Sequence, residues 1–191
     1  FIRLGLKMRW YNCPMENLIE LLKALILGVI QGITEWLPIS STGHMKLFNA
    51  FWPMSFSEEF TNLFIVFIQI GSVLAVLLLF IRILNPLGKS KEGSKNTLLL
   101  WVKIVVASLP AAVIGLLLDD WIDAALSGVL LIVIASTLII YGFLFILVER
   151  RQAPAKVTQL KDIRFTQALA IGAFQTLAII PGTSRSGATI V

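Results

Sequence analysis

The stretch that decides the fold is GVIQGITEWLPISSTGH, residues 28–44, because it interrupts a long apolar run with polar residues. The apolar run reaches Pro38 and gives way to hydroxyl side chains that end at Gly43. Proline disrupts a helix, since its nitrogen carries no hydrogen and its ring clashes with the preceding turn. Irregular backbone is tolerated at membrane depth only where protein or a water-filled cavity surrounds it. The stretch therefore predicts a broken helix at a protected polar site.

A second stretch, GAFQTLAIIPGTSRSG at residues 172–187, repeats this pattern. Each copy has Gly-x-x-Gln, a short apolar run, a proline and a turn rich in hydroxyl groups. The two glutamines lie 144 residues apart and the two prolines 143. The first copy carries a Glu and a His, and the second carries an Arg. Such residues are costly inside apolar segments, so we expect the function to reside there.

The composition places the chain among membrane proteins. Hydrophobic residues make up 57% of it and charged residues 14%, whereas soluble domains carry about 25% charged residues. The net charge of +5 comes from short loops rather than from one face, so we expect no nucleic-acid partner. The single cysteine, Cys13, excludes an internal disulfide and a cysteine-based zinc site.

Three segments are long and apolar enough to span a bilayer, namely 63–84, 98–118 and 125–148. The loops at 85–97 and 149–164 are basic, and the segment 119–123 between them is acidic. Basic loops stay on the cytoplasmic side, so the acidic segment is expected outside. Gln69, in the first span, is expected to form an interhelical hydrogen bond rather than to belong to a site.

The three spans also bear on how the two copies are oriented. If the first copy is a re-entrant hairpin, the second enters from the opposite side and the repeats are inverted. If the first copy is a full span, both copies run in the same direction. We favour the inverted arrangement, because broken helices that meet at the midplane commonly bind polar ligands.

The expected fold class is an all-α polytopic membrane protein with inverted-topology repeats, two re-entrant helix hairpins and three clear transmembrane helices. Residues 1–14 are expected to be a non-native or disordered leader. We expect a first repeat over residues 15–158 and the truncated start of a second over 159–191.

The first copy offers groups for acid–base and metal chemistry. Glu35 can bind a hard cation, and His44 can move a proton near neutral pH. Between them, Ser40, Ser41 and Thr42 offer nucleophilic or phosphate-binding hydroxyls. The alternative is a capped helix end, with Ser41 or Thr42 as the N-cap and His44 at the membrane interface.

The second copy has the residues of an anion site. Backbone N–H groups in a glycine-rich turn bind anions, and Arg185 adds a bidentate donor for phosphate. The alternative, a stray Arg in a cytoplasmic loop, is weak, because an unpaired Arg inside an apolar run costs about 2.5–3.5 kcal/mol. If the two turns meet, Glu35, Ser41, His44 and Ser184 converge with Arg185. That set suits phosphoryl transfer from an amphiphile.

The two motifs resemble the signatures of a known family. QGITE at residues 31–35 is similar to the (Glu/Gln)-x-x-x-Glu motif of the bacterial undecaprenyl-diphosphatase family, the bacitracin-resistance type of membrane phosphatase. PGTSRSGAT at residues 181–189 is similar to its Pro-Gly-x-Ser-Arg-Ser-x-x-Thr motif, and the resemblance covers residues 15–191. It implies hydrolysis of undecaprenyl diphosphate to undecaprenyl phosphate and inorganic phosphate, which recycles the lipid carrier for peptidoglycan synthesis. It also implies a divalent cation, Mg²⁺ or Ca²⁺, and a bacterial plasma-membrane location with the site facing the periplasm. The implied partners are the polyprenyl diphosphate lipid and membrane lipids, with a homodimer as a possible assembly.

The resemblance also implies a role for individual residues. Glu35 would hold the metal or orient water, with Gln31 as a neutral oxygen ligand beside it. Ser41 would be the nucleophile or position the diphosphate, and His44 would act as its general base and then as the acid. Arg185 would hold the phosphates. The substrate-binding set would comprise Gln31, Ser40, Thr42, Ser184, Ser186 and Thr189.

Two other readings remain. Inverted repeats with broken helices also suit a lipid-phosphate flippase or transporter, although a reactive His beside Ser favours a hydrolase. The third reading is an inactive fragment, because the second repeat is expected to need more spans. We expect residues 15–191 alone to be poorly stable and inactive.

Overall fold

The structure is a computed structural model that describes residues 14–151 and 157–190, and this part of the chain is helical without strands. The predicted leader lies outside the described residues, except for Pro14, which begins the first helix. The helices are α1 (Pro14–Thr34), α2 (Ser41–Phe51), α3 (Glu58–Leu79), α4 (Ile81–Leu84), α5 (Lys91–Leu126), α6 (Leu130–Arg151), α7 (Phe165–Gln175) and α8 (Arg185–Ile190). Short 3₁₀ turns cover Leu160–Asp162 and Thr176–Ile179.

Four of these helices contain segments that are long and apolar enough to cross a membrane: Asn17–Thr34, Glu58–Leu79, Lys91–Leu118 and Leu130–Arg150. Large hydrophobic side chains are exposed along all four, as expected of surfaces that face lipid. The chain is an all-α polytopic membrane protein, as predicted. Three of the segments correspond to the predicted spans, and the fourth belongs to α1.

The boundaries of α5 and α6 differ from the prediction. Helix α5 continues through residues 119–123, which were expected to form a loop, and the chain turns only at Ser127 and Gly128. Gly128 has a φ of 87°, a conformation that glycine adopts without strain. Acidic residues stop a span from entering lipid but do not end a helix, so charge alone did not locate the turn. The last span consequently begins at Leu130 rather than near residue 125.

Helices α1 and α2 form an antiparallel hairpin. The ammonium of Lys23, midway along α1, donates to the Pro53 carbonyl, just after α2, at 2.6 Å. The Ser55 hydroxyl donates to Glu20 at 2.9 Å, so the segment after α2 lies beside the first half of α1. A small apolar core of Leu27, Met45, Met54 and Ile65 fixes this hairpin to α3.

The second copy approaches from the other end of the bundle. The Lys103 ammonium donates to the carbonyl of Lys161 at 3.0 Å, which places the start of α7 near the amino-terminal third of α5. The hairpin ends lie instead beside the carboxyl end of α5, because Met54 and Ser127 line one cavity. The two copies therefore enter the bundle from opposite ends, and their polar turns meet inside it.

Candidate active site

The two polar turns enclose one cavity of about 360 Å³. From the first copy it is lined by Thr34, Glu35, Leu37, Ser40, Ser41, Thr42, Gly43 and Lys46; from the second, by Ala178, Pro181, Gly182, Thr183, Ser184, Arg185 and Ser186. Ile134 of α6 completes the lining. The two turns thus meet, and this brings a carboxylate, several hydroxyls and a guanidinium to one space.

Glycines allow the two turns to approach each other closely. A Cβ on Gly43 would lie 3.3 Å from the Cα of Gly182, and a Cβ on Gly187 would lie 3.0 Å from the carbonyl of Pro38. Positions 43 and 187 are 144 residues apart, and so are positions 38 and 182. The two contacts are therefore images of each other, as a two-fold relation between the copies requires.

Each turn uses a serine to start its second helix. The Ser40 hydroxyl accepts from the Gly43 N–H at 3.3 Å, and the Ser184 hydroxyl accepts from the Gly187 N–H at 3.1 Å. Such bonds satisfy N–H groups that the first turn of a helix leaves unpaired. The residue after each serine is thereby fixed at the cavity wall, and it is Ser41 in one copy and Arg185 in the other.

The hydroxyl of Ser41 donates a short hydrogen bond to Oε2 of Glu35. Ser41 is buried, whereas Glu35 is exposed toward the cavity. The expected base, His44, is not among the residues that line this cavity, and its Nδ1 lies 2.9 Å from the carbonyl oxygen of Ser40. Donation from Nδ1 to this carbonyl leaves Nε2 outside the hydrogen bond. The structure thus pairs the candidate nucleophile with the carboxylate.

Two predicted site residues lie away from the cavity lining. Gln31 is 3% exposed, and its Oε1 accepts from the Ser72 hydroxyl at 3.0 Å. Its Nε2 has no hydrogen-bond partner among the described residues. Thr189 donates to the carbonyl of Ser186 at 2.9 Å, within its own helix. The proposed metal and phosphate contacts of Gln31 and Thr189 stay predictions.

The sequence reasoning also missed residues that belong to the cavity. Thr34, Thr183 and Lys46 line it and were not predicted. The signal for Lys46 was present, because it follows Thr42 by four positions and such residues share a helix face. Gln69 does form an interhelical hydrogen bond, as predicted, and its Nε2 donates to Thr42 at 3.2 Å.

The donors at the cavity suit one kind of metal site. Among the described residues, no group of three or more His, Cys, Asp or Glu side chains is placed to hold a metal. Glu35 contributes one carboxylate, and its Oε2 is engaged by Ser41. Mg²⁺ keeps several waters and binds through one or two carboxylates together with substrate phosphates, so this set fits it. Ca²⁺ also combines carboxylate oxygens with waters, so the choice between Mg²⁺ and Ca²⁺ stays a prediction.

A polytopic helical fold with a polar cavity between two repeated helix breaks defines a class of membrane protein with a polar site enclosed among its helices. Residues 24–191 match the family model described as bacitracin resistance protein BacA, so the chain belongs to this family.

Curated relatives carry consistent names. The chain is 52% identical over 177 residues to the undecaprenyl-diphosphatase of Enterococcus faecalis (strain ATCC 700802 / V583), covering 90% of this chain and 63% of the relative. It is 49% identical over 180 residues to the undecaprenyl-diphosphatase of Streptococcus thermophilus (strain ATCC BAA-250 / LMG 18311), with 92% and 62% covered. Undecaprenyl-diphosphatase 1 of Clostridioides difficile (strain 630) is 48% identical over 177 residues, with 92% and 64% covered. The chain thus spans less than two thirds of the length of these relatives.

Proposed function

We propose that the protein hydrolyses undecaprenyl diphosphate to undecaprenyl phosphate and inorganic phosphate, and so recycles a lipid carrier for peptidoglycan synthesis. The observation that carries this proposal is the single cavity in which the Ser41–Glu35 pair faces Arg185. A flippase needs a cationic side chain that binds the lipid phosphate, but its transport step does not require a hydroxyl that donates to a carboxylate. Family membership and the names of the relatives support the same activity.

In the proposed reaction, Arg185 binds the diphosphate through its planar fork of donors. The Ser41 oxygen attacks the terminal phosphorus while Glu35 takes its proton. The bond from that phosphorus to the bridging oxygen breaks, and undecaprenyl phosphate leaves as an anion beside Arg185. Water then attacks the phosphoserine and gives its proton to the free Nε2 of His44, while Glu35 returns a proton to the Ser41 oxygen and inorganic phosphate is released.

A divalent cation belongs to this proposal. Mg²⁺ would be held by Glu35 together with the substrate phosphates, and it would neutralise part of the charge that develops on them. The remaining polar groups of the cavity hold the substrate. Ser40, Thr42, Ser184 and Ser186 line it and offer hydroxyls to phosphate oxygens.

We further propose that both broken helices are re-entrant and that the site faces the periplasm. The ends of the α1–α2 hairpin lie at the same end of the bundle as the α5–α6 turn, and the acidic residues near that turn favour the outer side. The proposed repeats are residues 15–158 and 159–191. A homodimer would leave this site unchanged, because one chain supplies both turns; cross-linking in membranes tests the assembly.

The test is phosphate release from undecaprenyl diphosphate by the complete protein in liposomes. Ser41→Ala and Glu35→Gln should each lower kcat by about 10²–10⁴-fold, the usual effect of losing a nucleophile or a general base. Lys95→Gln, on the exposed surface of α5, is the matched control and should retain activity. Full turnover by both Ser41→Ala and His44→Ala would refute the mechanism. Transport of the lipid monophosphate without hydrolysis would establish the flippase instead.

Rapid acid quenching during a single turnover distinguishes the covalent route from direct attack by water, whereas oxygen-18 in the product does not. During one turnover in labelled water, both routes place one label in the released phosphate. A phosphoserine trapped at position 41 by rapid acid quenching supports the covalent route. Single-turnover release of labelled phosphate with no trapped phosphoserine at any time point would assign the attack to water.

A further inference from the structure

One face of α2 separates the active-site cavity from a larger one. The second cavity has a volume of about 1010 Å³ and is lined by α2, the start of α3 and the turn between α5 and α6. Thr42 and Lys46 line both cavities. Because they are four residues apart on one helix, their side chains lie one above the other on this face. Asn49, one further turn along, lines the second cavity.

Among the residues whose side chains the structure describes, no carboxylate lies within salt-bridge distance of the Lys46 ammonium. The two buried lysines of the helices do have partners: Lys23 pairs with Glu20 at 2.7 Å, and Lys103 donates to a backbone carbonyl. Lys46 is half-buried, and a partly desolvated ammonium is stabilised by an anionic partner.

The surroundings point to phosphate as that partner. On the active-site side, Lys46 shares the cavity with Arg185, with the hydroxyl of Thr42, and with the Glu35 carboxylate, which accepts from the Ser41 hydroxyl. On the other side, the cavity extends toward Ser127 and Glu58 at the end of the bundle where α3 begins. The negative charge of Glu58 disfavours anion binding farther out. Among the described residues that line the second cavity, Lys46 is the one cationic side chain, and it also lines the active-site cavity.

We propose that Lys46 forms a phosphate subsite between the two cavities. It holds the terminal phosphate of the substrate before cleavage, and it binds inorganic phosphate as this product leaves through the second cavity. This inference rests on the proposed hydrolase function and deepens it. A membrane-embedded lipid monophosphate leaves sideways into lipid, whereas free phosphate needs an aqueous route, and the second cavity provides one.

Product inhibition tests the subsite directly. In the complete protein, Lys46→Met should raise the inhibition constant of inorganic phosphate about 10-fold and the KM for undecaprenyl diphosphate about 5-fold, since a charge-assisted hydrogen bond is lost. The kcat should stay within about 2-fold. Lys46→Arg keeps the charge and should remain within about 2-fold of wild type in all three constants. Lys95→Met, on the exposed surface of α5, is the matched control and should change none of them.

An unchanged inhibition constant for phosphate in Lys46→Met overturns the subsite, and so does a loss confined to kcat. Failure of Lys46→Arg to rescue the constants also overturns it, because the effect would then be steric. If the wild-type protein does not hydrolyse the lipid, the proposed function fails and the subsite is tested by binding alone. Calorimetric titration with inorganic phosphate would then compare wild type with Lys46→Met, and equal affinities would overturn the subsite.

Discussion

In both polar turns a serine caps the second helix, and the two turns differ in the side chain that follows this serine. In each turn a serine accepts from the glycine N–H three residues later, and the next residue begins a helix at the cavity wall. That next residue is Ser41 in the first copy and Arg185 in the second. The comparison teaches that the repeat duplicates the capping serine and its hydrogen bond, while the residue placed beside the cavity differs; the proposed roles differ accordingly, a nucleophile for Ser41 and a phosphate-binding cation for Arg185.

The largest expected effect follows from this division of roles. Ser41→Ala should lower kcat by about 10²–10⁴-fold with a small change in KM, because it removes the attacking oxygen. Arg185→Ala should raise KM about 10–100-fold, since hydrogen bonds to charged groups contribute about 1.5–3 kcal/mol. Steady-state kinetics on liposomes containing undecaprenyl diphosphate measures both constants.

Arg185→Lys is the control for this comparison. A lysine keeps the charge but loses the bidentate geometry, so its KM should fall between those of wild type and Arg185→Ala. If the substitutions at 41 and 185 change kcat and KM in the same proportion, the two turns do not divide the work and the comparison fails.

Much of this arrangement could be predicted from the sequence. Gln31 and Gln175, followed by a proline seven and six residues later, revealed the repeat, and the hydroxyl-rich turns of the two copies located the cavity. Helix lengths and the hydrophobic runs gave the spans, because lipid imposes about 20 apolar residues on any helix that crosses it. The repeat, the turns and the spans can all be recognised from the composition and residue spacing of short stretches of sequence.

The remainder depended on contacts between distant residues. The motif does not tell whether Ser41 donates to Glu35 or to His44, because both are within a few residues of it and side-chain direction decides. Gln31 was expected beside the metal, yet its carbonyl accepts from Ser72, 41 residues later. Lys46 was overlooked because its spacing from Thr42 places both on one helix face but does not show which cavities that face lines. Its significance comes from the two cavities that tertiary packing forms around it.

A second pair of matched positions carries the same residue in both copies but differs in how closely neighbouring atoms pack against it. Gly28 and Gly172 are 144 residues apart, both within helices. A Cβ on Gly172 would lie 2.4 Å from the carbonyl of Ala107 on α5, whereas a Cβ on Gly28 meets nothing within 4 Å. Gly172→Ala should therefore destabilise the protein by about 2 kcal/mol through overpacking. Gly28→Ala should stabilise it by about 0.5–1 kcal/mol, because alanine loses less conformational entropy in a helix.

Thermal unfolding in one detergent measures this difference. For a protein of this size, about 1 kcal/mol shifts Tm by about 2–4 °C, so the two variants should move Tm in opposite directions. Leu25→Ala, on the exposed face of α1, controls for substitution in that helix. If Gly28→Ala lowers Tm as much as Gly172→Ala, another segment or molecule packs against α1 and the two glycines are equivalent.

The smallest expected effect distinguishes the two capping serines. Ser40 has a φ of 60°, a conformation that costs energy for any residue with a Cβ. Ser184 is not among the described non-glycine residues with positive φ. Alanine should cost about 1 kcal/mol at either position, since it removes the capping oxygen. Glycine is a tolerated cap, and it also relieves the strain at position 40. The free energy of unfolding of the glycine variant should therefore exceed that of the alanine variant at both positions. This difference should be about 1 kcal/mol larger at position 40 than at position 184. Unfolding midpoints of the four single variants give this double difference. A double difference near zero would mean that the two turns share backbone strain as well as hydrogen bonding, and that their divergence is confined to Ser41 and Arg185.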